Sequence, residues 1–210
     1  QEQSWLDFKE SQPWTELRWR LLKTSMAMAN LRDGGLIVIG VAERNDSWEL
    51  TGIQEDHLET YDYDDIVDQL AKYASPQIKT DIVLHDDDDG NRYLAFHVDQ
   101  FSDAPVVCRK NSPDSVRPKD RLSAGDVYTR PTSGKPQTAK VTDAERLHDL
   151  LELAAEFRVR RMLEAGKRVG LVPSETSTAQ FESELAGIKE FPVPVTEFPY
   201  WQVRFCPEFY

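Results

Sequence analysis

Between residues 109 and 138 the sequence gathers the side chains that bind phosphate oxygens best: Arg109, Lys110, Arg117, Lys119, Arg121 and Arg130, then Ser133, Gly134, Lys135 and Thr138. Guanidinium and ammonium groups make charge-assisted hydrogen bonds, hydroxyls add directional donors, and a glycine lets backbone amides approach an anion. That chemistry suits holding a sugar-phosphate strand or a phosphorylated ligand. A plainer reading of the same residues puts Tyr128 in a core, pairs Arg130 with a sheet carboxylate and leaves the loop cations solvated. The net charge of −12 opposes indiscriminate coating of a polyanion. The charge is uneven, however: residues 1–108 hold 9 Lys/Arg against 22 Asp/Glu, whereas residues 109–168 hold 14 against 9. A basic segment inside an acidic chain is a local electrostatic footprint.

Such a segment needs a scaffold, and hydrophobic periodicity indicates one. Residues 5–9 (Trp-Leu-Asp-Phe-Lys) alternate as a half-buried strand does, with Leu6 and Phe8 on one side and Trp5, Asp7 and Lys9 on the other. Pro13 opens a helix in which Trp14, Leu17, Leu21 and Met28 follow the 3.6-residue period until Gly34-Gly35. Residues 36–41 (Leu-Ile-Val-Ile-Gly-Val) carry no polar side chain, so they are expected at the centre of a sheet, covered on both faces. A short strand near residues 48–51 precedes a second helix, striped by Tyr63, Ile66, Val67, Leu70 and Ala74 and ended by Pro76. Residues 78–85 and 92–99 alternate about an acidic Gly-Asn turn and read as a hairpin.

Strand character returns at residues 105–109 and 125–130, on either side of a polar, basic loop over 111–123. Thr142-Asp143-Ala144-Glu145 reads as a capping box. It opens a helix to about Gly166 with an apolar stripe at Leu147, Leu151, Ala154 and Met162 and with Arg158, Arg161 and Lys167 toward its end. A short helix over 179–188, an aromatic tail and a strand-like end at 203–205 are expected beyond it.

The order of these pieces resembles the Schlafen/Alba-like domain: a charged opening strand, an amphipathic helix, a double glycine, an apolar strand, then a Gly-x-x-Tyr-x-Arg element formed here by Gly125, Tyr128 and Arg130. Thr132-Ser133-Gly134-Lys135 supplies the small polar turn that follows. The resemblance covers roughly residues 2–150 and implies binding of DNA or RNA. Some relatives are also ribonucleases that hold a divalent metal with three acids. Carried onto this chain, Glu2 and Asp7 occupy the first two places, ahead of Phe8-Lys9. The third place, after Gly40-Val41, is Ala42, and Glu43 is one residue late. Because strand neighbours face opposite sides, Glu43 cannot replace that acid without a bulge. Mg2+ or Mn2+ would be needed only on this nuclease reading, with Glu2, Asp7 and Glu43 as ligands and Lys9 stabilising developing charge. No other cofactor is expected.

Several classes of function lack their signatures. The longest apolar run, residues 36–39, is far short of the roughly 20 residues that span a bilayer, and the charged N-terminus does not read as a signal peptide. A cytoplasmic protein is expected. No P-loop or dinucleotide fingerprint occurs, and His57, His85, His97 and His148 are scattered. Cys108 and Cys206 lack zinc spacing, and the acidic turn over 86–91 fails the calcium-loop spacing. The fold expected is α+β: a mixed β-sheet with helices packed on it, residues 1–168 forming the Schlafen/Alba-like domain and 169–210 a C-terminal appendage or the start of a further domain. The leading function is a nucleic-acid-binding module, as in a transcriptional regulator. A metal-dependent ribonuclease with a degenerate acidic triad, and a protein-interaction module without nucleic acid, remain as alternatives. A homodimer or a further subunit is a possible partner. Gln1 in place of an initiator Met leaves room for a longer parent protein.

Overall fold

The computed structural model describes residues 3–44, 47–131 and 136–170. Its framework is a four-stranded sheet in the order β1 (Leu6–Lys9), β2 (Gly35–Ile39), β7 (Arg92–Val98), β6 (Thr80–Asp86). β1 runs parallel to β2, and the other neighbours are antiparallel, so the sheet is mixed and the α+β expectation holds. Between these strands the chain forms α1 (Trp14–Ala29), β3 (Val41–Arg44), β4 (Ser47–Leu50), α2 (Glu55–Leu58), α3 (Tyr63–Tyr73) and β5 (Ala74–Ser75). After the sheet come β8 (Val107–Cys108), a 3-10 turn at Pro118–Asp120, β9 (Tyr128–Thr129), β10 (Ala139–Lys140) and α4 (Ala144–Arg168).

α1 begins where expected, and its apolar stripe covers one face of the sheet. Leu17, Leu21, Leu22, Met26 and Met28 are buried in one core with Ile37, Ile39, Leu94 and Phe96. α3 is capped by Asp62, whose carboxylate accepts from Asp65 N at 2.9 Å. It buries Ile66, Leu70 and Tyr73, while Tyr63 points outward.

The apolar strand over residues 36–41 departs from expectation in two ways. It breaks at Gly40, whose φ of +111° favours glycine and where an added Cβ would lie 2.8 Å from Gly52 C. β3 therefore leaves the sheet, and among the described residues it pairs with β4 alone. Nor are both faces of β2 sealed: Ile37 and Ile39 are fully buried, whereas Leu36 and Val38 are half-exposed. The described helices pack on one side, so the other is shielded only in part, by contacts such as Phe8 against Trp48 at 5.0 Å.

α4 also turns a different face inward. Leu150 and Phe157 are buried, with Phe157 edge-to-face on Phe101 at 5.2 Å, whereas Leu147, Leu151 and Met162 of the expected stripe are exposed. Its cap is Asp143 rather than Thr142: Asp143 Oδ1 accepts from Arg146 N at 2.9 Å. A carboxylate gains more there from the positive helix end than a hydroxyl does. The chain divides into two compact units, Gln1–Arg161 and Met162–Tyr210, and the described part of the second is the last turns of α4 to Gly170. The expected helix over 179–188, the aromatic tail, the strand end at 203–205 and Cys206 lie outside the described residues. No described helix is long and apolar enough to cross a membrane.

Candidate nucleic-acid interface

The buried end of α1 organises the segment that carries the Gly-x-x-Tyr-x-Arg element. Asn30, the C-cap residue, donates from Nδ2 to Val106 O and Tyr128 O, both at 2.9 Å, and accepts from Val106 N at 2.7 Å. One side chain thus ties α1 to β9 and to the residue preceding β8. Tyr128 packs in the core, and burial pushes its hydroxyl pKa well up.

Arg130 follows directly and turns inward. It is 2% exposed, and its Nη1 lies 2.8 Å from Asp7 Oδ1, itself on a residue only 5% exposed. Arg130 Nη2 donates to Pro136 O and reaches Gln3 O at 3.4 Å and Leu6 O at 3.5 Å. Lys9 Nζ pairs with Asp7 Oδ2. The expected phosphate ligand and the expected metal ligand therefore neutralise each other. A low-dielectric site makes this pairing obligatory, since either charge alone would be costly there. This matches the plainer of the two readings of Arg130.

The acids do not assemble into a metal site among the described residues. Asp7 has both oxygens engaged by cations, and a divalent ion would have to displace Arg130 and Lys9. Glu43 is exposed on the separate β3–β4 hairpin, with buried Ala42 before it. Glu2, Ser133 and Lys135 lie outside the described residues, and no group of three His, Cys, Asp or Glu among those described could hold a metal. The donor set seen does not fit the acidic triad, so no cleavage step is derived.

The remaining cations fall into two sets. Of those along β10 and α4, four are paired: Lys140 with Asp126 at 2.6 Å, Arg146 with Asp143 at 3.4 Å, Arg160 with Glu156 at 3.4 Å and Arg161 with Asp103 at 2.8 Å, whereas Arg158, Lys167 and Arg168 form no ion pair with a described carboxylate. The loop cations Arg109, Lys110, Arg117, Lys119 and Arg121 are exposed and form no ion pair with a described carboxylate. Backbone contacts give this loop its shape. Arg121 Nε donates to Val116 O at 3.0 Å and its Nη2 to Asp114 O at 2.8 Å, which closes a tight polar turn. Arg109 donates from its backbone N to Tyr73 O at 2.7 Å and from Nη1 to Ala71 O at 3.3 Å. Those carbonyls end α3, where a cation also meets the negative end of the helix dipole.

The loop runs beside α1, whose cations the sequence reading passed over. Lys23 Nζ donates to Lys119 O at 2.9 Å and sits 5.1 Å over the Tyr128 ring. Burial holds its ammonium below the ordinary lysine range, against the upward pull of Asp120 and Asp126. Arg20 Nε lies 3.9 Å from Asp120, in the 3-10 turn. Arg18 stacks at 4.7 Å on Trp19, which meets Tyr73 edge-on at 5.2 Å, and Lys72 lies 5.6 Å from that same Tyr73 ring. Arg18, Arg20, Lys23 and Lys72 therefore join the loop cations on packed elements, interleaved with aromatic rings. The signal was available: Arg18-Trp19-Arg20-Leu21-Leu22-Lys23 places three of the 9 Lys/Arg of residues 1–108 within six positions.

A family model described as Schlafen, AlbA_2 matches residues 2–139. No curated protein sequence matches the chain. Among solved structures it is similar to the DIP2311 protein from Corynebacterium diphtheriae, with 17% identity, a TM-score of 0.45, and coverage of 69% of this chain and 23% of that one. It is also similar to the N-terminal domain of a protein described as RecG-related from Nitrosomonas europaea, with 17% identity, a TM-score of 0.40, and coverage of 68% of this chain and 88% of that one. The chain thus spans about a quarter of the first of these structures.

Proposed function

The chain belongs to the Schlafen AlbA_2 family, and from that premise we propose that it is a nucleic-acid-binding module whose contact surface is built by α1, the end of α3 and the loop over residues 109–121. The observation that carries the proposal is the set of loop cations without described carboxylate partners, seated beside Arg18, Lys23 and Lys72 in a chain of net charge −12. Cations gathered on one surface raise the local potential of an otherwise acidic chain, and a phosphate strand that they neutralise gains by releasing its condensed counterions. Guanidinium groups would take phosphate oxygens bidentately and lysines as point charges. Trp19, half-buried between Arg18 and Tyr73, offers an edge against which a sugar or base can rest.

Holding a strand, rather than cutting it, is the activity proposed, because Asp7 is committed to Arg130 and Lys9. The test is a salt titration of affinity for a short duplex, a single strand of DNA and transfer RNA. A log–log slope that becomes less steep when Arg117, Lys119 and Arg121 are changed to Ala supports the assignment. Absence of binding to all three polyanions at low salt would overturn it.

A further inference from the structure

β6 forms one edge of the sheet, and no described strand pairs with its outer side. Such an edge presents a row of backbone donors and acceptors to any strand that can lie beside it. This one is long and regular. Its register with β7 runs unbroken from Thr80↔Val98 to Asp86↔Arg92, with no bulge, and it contains neither Pro nor Lys. Val83 is 40% exposed and Leu84 42% exposed, and Ile82 is half-exposed. Among the described residues the devices that ordinarily blunt an edge are absent, apart from the polar side chains of Asp81, His85 and Asp86.

Those side chains are arranged so that the strand complements itself, carboxylate against imidazole. We infer that β6 pairs antiparallel with β6 of a second copy of this chain, about a two-fold axis through Val83, joining the two four-stranded sheets into one. In that register Asp81 faces His85 of the second copy, Ile82 faces Leu84, Val83 faces Val83, and Thr80 faces Asp86. Lys79, exposed just before the strand, runs toward the acidic turn of the other copy. Facing residues in an antiparallel pair share one side of the sheet. Ile82 and Leu84 belong to the row side of Phe96, Leu94, Ile37 and Ile39, so their pairing extends the existing apolar layer. A slip of two residues either way sets a carboxylate against Val83 or Ile82, and a slip of one turns the apolar side chains to the wrong face. The axis at Val83 is the register that satisfies both charge and burial.

This inference does not depend on the nucleic-acid reading, because β6 carries none of the cations assigned to that surface. The test is sedimentation equilibrium of the whole 210-residue chain over a wide concentration range, with far-UV circular dichroism to verify folding. A reversible dimer is expected. Val83→Lys, which sets two ammonium groups against each other across the axis, should weaken it about tenfold or more. Asp81→Lys should weaken it as well, and the double change Asp81→Lys/His85→Glu should restore it by reversing the pair. A monomer at every concentration would overturn the inference. So would a dimer indifferent to Val83→Lys, or one in which the charge reversal fails to restore what Asp81→Lys removes.

Discussion

Arg130 Nη1 sits 2.8 Å from Asp7 Oδ1 in the interior, so the first strand of the sheet and the segment after β9 are clasped by a buried ion pair. Removing one partner leaves an uncompensated buried charge and costs about 3–5 kcal/mol, whereas exchanging both for apolar side chains can be neutral. Asp7→Asn and Arg130→Met should each lower urea-unfolding stability by that amount, and Asp7→Leu/Arg130→Met should recover most of it. Loss of any activity in Asp7→Ala would therefore report unfolding as readily as chemistry, and only a variant set that includes the double change separates the two.

The cations beside α1 should separate binding from stability. Lys119→Ala removes an exposed charge without a described carboxylate partner, so the salt slope of nucleic-acid binding should shrink by roughly 0.7–0.9 with the unfolding midpoint unchanged. Lys23→Met should cut the slope likewise. Its ammonium is disfavoured by burial, so the apolar stem of Met should hold the packing against Tyr128 with little change in stability. Filter binding at several salt concentrations, with thermal melts alongside, checks both.

The turn between β6 and β7 is a pH-sensitive element at both ends of the scale. Asp87 accepts from Asn91 Nδ2 at 3.0 Å, Tyr93 OH at 2.8 Å, Asn91 N at 2.8 Å and Asp89 N at 3.0 Å, and the Asn91 side chain does most to hold its carboxyl below the usual range. A depressed folded value stabilises above the unfolded carboxylate pKa of about 3.9, and that contribution disappears as pH falls through the folded value. Tyr93 shifts the other way: burial first, then the Asp87 hydrogen bond, pushes its hydroxyl up to about 12. Its contribution is complete below the unfolded tyrosine value of about 10 and is lost as pH rises toward the folded one. Thermal melts against pH should show a shallower acid limb in Asn91→Ala and a shallower alkaline limb in Tyr93→Phe.

The rotation of α4 predicts unequal costs along one helix. Phe157→Ala empties a buried site against Phe101 and should cost about 3–5 kcal/mol. Leu151→Ala, at a position 54% exposed, should stay within about 0.5 kcal/mol. Denaturant unfolding of the two variants side by side decides which face is inside.

Much of this architecture could be read from residue order. Periods of 3.6 and 2 located α1, α3 and the β6–β7 hairpin, because burial of an apolar stripe leaves a regular trace in the chain. The order of strand, helix, double glycine and apolar strand located the family, and the match over residues 2–139 agrees. Periodicity had less to say where one helix carries two stripes. In α4, Leu147-Leu151 and Leu150-Phe157 both recur at helical spacing, and the partner ring of Phe101, distant in sequence, selects the second.

The same limit separates the readable part of the candidate site from the rest. That residues 109–121 are rich in cations is a property of composition, visible without any fold. Which cations stay free is a property of neighbours: Arg130 met Asp7, Arg161 met Asp103 and Lys23 met Lys119 O only when the sheet and helices closed. Local sequence encodes backbone preference and the pattern of burial, since both depend on near neighbours. Coulomb pairing and desolvation depend on distance in space, and folding alone brings residues so far apart along the chain to within 3 Å.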